Sequence, residues 1–200
     1  MEVDVKQIIG LMMPHTRLNN SLRVLITTNA MLSFIVALFS PFYAVFVAHI
    51  GGSVAVAGLS WALYSIVAGL LIFLFAEWQL KVKEQELLIA LGHVLRGGVF
   101  LSYAFMATLP QLFATQILWG IASALSSPAF DSVYAQHTNP ADSIVQWGGW
   151  EGISAIMIGL GALVGGIVIQ VFGYEIVFLA MAFISFALGA YIWAQPRELL

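Results

Sequence analysis

The sequence predicts an all-α integral membrane protein, six transmembrane helices in a single bundle with both termini cytoplasmic. Composition is the first observation behind this. The 200 residues are 61% hydrophobic and 8% charged, with a mean hydropathy of +0.96, well outside the range of soluble domains. Periodicity of apolar runs is the second. A helix needs roughly 20 apolar residues to cross about 30 Å of hydrocarbon, and such runs recur near 24–50, 54–77, 86–109, 111–134, 144–172 and 175–194. The third is the placement of positive charge, which marks the cytoplasmic side of short loops. Lys6, Arg17 and Arg23 precede the first run, Lys81 and Lys83 separate the second from the third, and Arg197 follows the sixth. The first, third and fifth connections carry no Lys or Arg. A net charge of −3 leaves no basic footprint for nucleic acid, and the absence of cysteine excludes disulfide and thiol chemistry.

Taken in order, residues 1–23 mix Glu2, Asp4, Lys6 and Arg17 with a short apolar patch from Ile8 to Met13. The patch is too brief to span and no cleavage pattern follows it, so the segment reads as a cytoplasmic or interfacial lead-in. The bundle then occupies 24–195, and 196–200 form a cytoplasmic tail.

In the first span Asn29, Ser33, Ser40 and Tyr43 fall on one stripe, and Pro41 interrupts the hydrogen-bond ladder beside Ser40, which predicts a kink. The second span supplies Trp61 and Tyr64. The third carries Arg96 near its middle, where a charge costs roughly 2.5–3.5 kcal/mol unless it is paired or wet. Asp131 and Glu151 are the carboxylates at suitable depth to answer it, and Gly97 and Gly98 leave room for a neighbouring helix or water.

The fourth span has the clearest polar face: Gln116, Gly120, Ser123, Ser127, Asp131 and Tyr134 are spaced by three or four residues and share one stripe. Ile117, Leu118, Ile121, Leu125 and Ala129 form the opposite surface. Lipid cannot satisfy such polar groups, so this helix has a wet or partner-facing side. In the fifth span Gly148 with Gly152, and Gly161 with Gly165, are small-xxx-small pairs, with Ala162 and Gly166 in an overlapping register. These glycines mark close helix contacts.

No metal or other cofactor is expected, because His93 and His137 have no second ligand at metal spacing on the same element. His137, after the polar stripe of the fourth span, is a candidate pH-sensitive contact to Asp131 or Glu151. The Asn139-Pro140-Ala141 tripeptide occurs once, whereas a water channel needs two such boxes. The sequence also lacks a nucleophile motif or paired intramembrane aspartates, so it does not read as an enzyme.

Several segments together resemble the N-terminal six-helix half of the major facilitator superfamily across residues 20–195. FAEWQLKVKE stands where that family has its acidic and basic loop between the second and third spans, with Glu77 in the acidic place and Lys81 and Lys83 in the basic ones. Trp78 and Leu80 depart from its Arg and Gly. QILWGIASALSSPAFDSVYAQH matches the fourth span, with Gln116 in the place of an Arg and Ser127-Pro128 retained. GALVGG matches a Gly-Pro-x-x-Gly-Gly signature with Ala162 in place of Pro, and VFGYEIVF the connection into the sixth span. SPAFD and WGGWEG are similar to short, six-span bacterial members.

The resemblance implies a secondary transporter built from two such bundles about an axis along the membrane normal, with the substrate between them. One bundle is present here, so a same-orientation homodimer, or a second half bundle as partner, is expected. It would sit in a bacterial inner membrane and move a small molecule, with proton coupling through Asp131 or Glu151. The first and fourth spans would line the cavity, with Asn29, Ser33, Ser40, Tyr43, Gln116, Ser123, Ser127 and Tyr134 as candidates. The second and fifth would meet the partner, and Glu77, Lys81, Lys83 and Asp131 would form a cytoplasmic charge latch. The competing reading is a non-transporting scaffold or a subunit of a larger membrane complex.

Overall fold

A computed structural model describes residues 18–197. Residues 1–17, and with them most of the expected lead-in, lie outside the described residues, as do 198–200 of the tail. Among the described residues every regular element is helical.

The first helix, α1, runs Asn20–Ala37, four residues ahead of the expected start. Asn19 sets that start: its side-chain oxygen accepts from the Leu22 amide at 2.8 Å and satisfies one of the unpaired donors of the first turn. Its Nδ2 donates to the His137 carbonyl at 3.1 Å, tying this end to the far end of the fourth span. The kink expected at Pro41 is a full break. A 3₁₀ turn over Ser40–Phe42 separates α1 from the short α2, Tyr43–His49, and together these make the first span.

The remaining elements are α3 (Val54–Gln79), α4 (Gln85–Ala104), α5 (Leu109–His137), α6 (Ser143–Phe172) and α7 (Tyr174–Trp193). Ser53 caps α3 by accepting from the Val56 amide, and Thr108 with Gln111 forms a capping box on α5. Asn139 of the single Asn-Pro-Ala sequence accepts from the Ala141 amide at 3.0 Å and caps one 3₁₀ turn leading into α6. That explains the tripeptide as turn chemistry. Gly173, at φ +82°, lets the chain reverse between α6 and α7.

Five helical segments are long and apolar enough to cross a membrane: Asn20–His49, Val54–Gln79, Gln85–Ala104, Pro140–Phe172 and Tyr174–Trp193. The expected sixth, α5, is 29 residues long but is not among them. Its glutamines, serines and Asp131 make it too polar to be surrounded by lipid, and a helix of this kind needs a neighbour or water on its polar side.

Neighbours pack as α4 with α7, α4 with α5, α3 with α5, and α1 with α6, whereas α1 and α5 touch only sparingly. Glycine permits the closest of these approaches. A Cβ on Gly92 of α4 would overlap Ser126 of α5, and one on Gly120 of α5 would press on Val67 of α3. Gly161 and Gly165 of α6 lie bare against the carbonyl oxygens of Phe34 and Leu38, where α1 ends at the Pro41 break. This corrects one expectation: these two glycines serve a contact inside the bundle. Gly166 faces the Phe42 ring, whereas Gly148 and Gly152 have open space before them.

Two apolar clusters close the bundle at its ends. One gathers Phe39, Phe46, Tyr103, Phe178 and Met181; the other gathers Leu22, Leu25, Ile89, Phe130 and Tyr134, with Trp147 and Trp150 packed against it.

Candidate functional site

Because α1 and α5 barely meet, a groove runs between them, floored by α4, its mainly apolar lining interrupted by several polar side chains. It has two compartments. The one nearer the Gln85 end of α4, about 240 Å³, is lined by residues including Asn29, His93, Arg96, Ser127, Asp131 and Trp150. The other, about 320 Å³, is lined by Ser33, Ser40, Trp61, Tyr64, Arg96, Trp119, Ser123 and Ser127 among others. Leu32, Arg96 and Ser127 belong to both compartments and form the pass between them.

Of the residues expected to line a cavity, Asn29, Ser33, Ser40, Ser123 and Ser127 border the groove. Tyr43, Gln116 and Tyr134 border neither compartment. Gln116 is 1% exposed, and its Nε2 donates to the Tyr43 hydroxyl and to the Tyr103 hydroxyl at 3.0 Å. Tyr43 in turn shares a 2.6 Å hydrogen bond with Ser60 of α3. These groups bond one another in the core and leave only Gln116 Oε1 of this network without a partner among the described residues. Tyr134 packs under Trp147 at a centroid distance of 4.7 Å and donates to the Gln146 carbonyl at 2.6 Å.

The charged candidates separate as well. Arg96 is buried and lines both compartments, but among the described residues no salt bridge or hydrogen bond reaches it. Asp131 borders the same compartment without pairing to it. Glu151 is exposed on the outside of α6, so it is no counter-ion for Arg96. His137 places Nδ1 at 2.8 Å from the Val133 carbonyl of its own helix, not against either carboxylate.

The expected latch of Glu77, Lys81, Lys83 and Asp131 is not formed within the chain: no salt bridge among the described residues joins them. α3 turns Gln79 inward, and Glu77, two residues earlier, therefore falls on the opposite side. The ion pairs at this end run from Arg197 to Glu84 at 3.8 Å and to Glu86 at 3.7 Å.

Two groove residues were not among the cavity candidates read from the sequence. Trp150 donates its indole N–H to Asn29 Oδ1 at 2.8 Å, a contact between positions 121 apart. His93 lines the groove and is 3% exposed, with no hydrogen-bond partner at Nδ1. A third polar contact explains how α5 tolerates Pro128 inside its length. Proline has no N–H, so the carbonyl four residues earlier loses its helical partner. That carbonyl belongs to Ala124, and Gln79 Nε2 of α3 donates to it at 2.9 Å.

An apolar helical bundle with a groove bordered by a buried arginine, unpaired among the described residues, is an integral membrane protein. The profile of the Major Facilitator Superfamily matches residues 25–199, and the chain belongs to that superfamily. Membership gives it a transporter-like role. No curated protein and no solved structure gives a significant match.

Proposed function

We propose that this chain forms one half of a secondary transporter whose working unit is two bundles in the same orientation, two copies of the chain, moving a small molecule by alternating access. In this arrangement all six spans cross the bilayer, α5 included, with both termini cytoplasmic in a bacterial inner membrane. The observation that carries the reading is the pairing of an open groove with two under-covered helices. Within the most apolar window of α3, and likewise of the segment Pro140–Phe172, only 11% of residues are buried. Gly148 and Gly152 stand open on that same α6 surface. A second bundle laid over α3 and α6 would cover both and roof the groove. Rocking of one bundle against the other then opens the groove to each side in turn.

Asp131 is the carboxylate in the groove and the group assigned to proton coupling; Glu151 lies on the face given to the partner. Glu77, Lys81 and Lys83, exposed at the end of α3 and in no salt bridge among the described residues, are available to pair across the two copies.

Because the chain has no cysteine, the test is direct. In lipid, Gly152→Cys is expected to crosslink between copies on oxidation, while Phe183→Cys, on the exposed side of α7, is not. A Gly152→Cys protein that stays monomeric would sink the paired-bundle reading. Flux in proteoliposomes should fall in Asp131→Asn and stay near wild type in Glu151→Gln; equal flux in all three removes Asp131 from coupling.

A further inference from the structure

Arg96 is the least expected group in the molecule. It is 8% exposed, midway along a membrane-spanning helix, with no carboxylate at ion-pair distance among the described residues. A buried charge without a counter-ion is stable only if water or a ligand supplies what the protein omits. The groups that act on it electrostatically, Tyr64 of α3 and His93 one turn away on α4, do not carry a full negative charge. Its guanidinium borders both compartments at their common pass, so a ligand held there is in reach of either side of the groove.

Resting on the carrier reading above, we propose that the transported molecule is a small organic monoanion, one carboxylate on an aromatic body, and that Arg96 binds the carboxylate. The planar guanidinium fork matches a carboxylate through two parallel hydrogen bonds. Flanking it, Trp61, Tyr64 and Trp119 on one side of the pass, with Phe130 and Trp150 on the other, offer ring faces and edges to an aromatic body. Ser123 and Ser127 supply hydroxyls that orient polar substituents. Asp131 sets the charge limit, because its carboxylate borders the same compartment and opposes a second negative charge on the ligand. A cation is disfavoured by Arg96 itself. Compartments of about 240 and 320 Å³ accommodate a single ring with a short side chain.

The experiment is a tryptophan-fluorescence titration of the full chain in lipid nanodiscs, using benzoate, benzyl alcohol, benzylamine and inorganic phosphate as probes. Benzoate should give saturable quenching, and the other three should bind at least about tenfold more weakly. Arg96→Gln should weaken benzoate about tenfold or more, and Arg96→Lys, which keeps the charge but loses the fork, should fall between. Benzyl alcohol or phosphate binding as well as benzoate would overturn the proposal. So would unchanged benzoate affinity in a folded Arg96→Gln, or no saturable benzoate binding at all. If Arg96→Gln does not fold, Arg96→Lys against wild type, with benzoate and benzyl alcohol compared in each, decides the matter. The two readings fail separately. Arg96-dependent benzoate binding in a chain that does not crosslink sinks the paired bundle alone, and a crosslinked pair that binds benzylamine in preference sinks the monoanion alone.

Discussion

The α3 and α7 helices are equally apolar, yet α7 buries 39% of its most apolar window against the rest of the bundle and α3 only 11%. The same contrast separates α4, at 56%, from the fifth-span helix, at 11%. Lipid tails are as apolar as leucine, so hydropathy does not tell a surface that faces lipid from one that faces a protein. Small residues and backbone contacts do. On α7, Gly189 is pressed by Val94 and the Ala90 carbonyl; on α3, Gly58 and Gly69 meet nothing. One side of this molecule is finished and the other is open.

Substitutions along single helices test how sharp that division is. The largest effect is expected at Gly165→Leu, where the new side chain collides with the Leu38 backbone. It should cost about 3 kcal/mol, the upper range for overpacking, read as a fall in thermal midpoint in lipid nanodiscs. Gly148→Leu on the same helix meets open space and should leave that midpoint within about 1 kcal/mol of wild type while reducing crosslinking through Gly152→Cys. Equal loss of stability at both positions would erase the distinction between the two halves of α6.

Next comes the contact between α3 and α5. Gln79→Leu strands the Ala124 carbonyl and should destabilise by about 1–2 kcal/mol. In a Pro128→Ala background the carbonyl regains a helical partner, and the cost should shrink by about 1 kcal/mol. Additive losses in the double variant would show that Gln79 acts elsewhere.

A smaller pair lies on α4. Gly97→Ala drives a methyl into the Phe186 ring, whereas Gly98→Ala meets nothing within 4 Å. The first should destabilise, by about 1 kcal/mol or more; the second should stabilise by about 0.5–1 kcal/mol through helix propensity. The smallest effect is at Arg197→Ala, which loses partly exposed pairs at 3.7 and 3.8 Å. About 1 kcal/mol or less is expected, shrinking as salt is raised.

Five of the expected spans and an interruption at Pro41 were legible because length, apolarity and proline chemistry act within one helix, although the expected kink is a full break. The polar stripe of α5 was legible for the same reason, but its use was not. Spacing places Gln116, Ser123 and Asp131 on one face; it does not say that Gln116 meets Tyr103 in the core while Ser123 opens into the groove. Gly161 and Gly165 were misassigned to the partner face on the same ground: periodicity identifies a small-residue face, and only the neighbouring helix decides whether that face is inside or outside. Arg96 was recognised as needing an answer. That no carboxylate among the described residues provides it depends on how the helices rotate: Glu151 is turned outward, and Asp131 borders the groove without reaching Arg96.

The Gln79 amide at the Ala124 carbonyl also bears on how the molecule moves. A slip of α3 along α5 by even one turn would leave a main-chain oxygen bare beside the proline, in a medium with no water to replace the lost donor. The last turn of α3 is thereby riveted to the middle of α5. Among the described residues no comparable rivet joins α1 to α5 along the groove, and the seam left without one is where Arg96 stands.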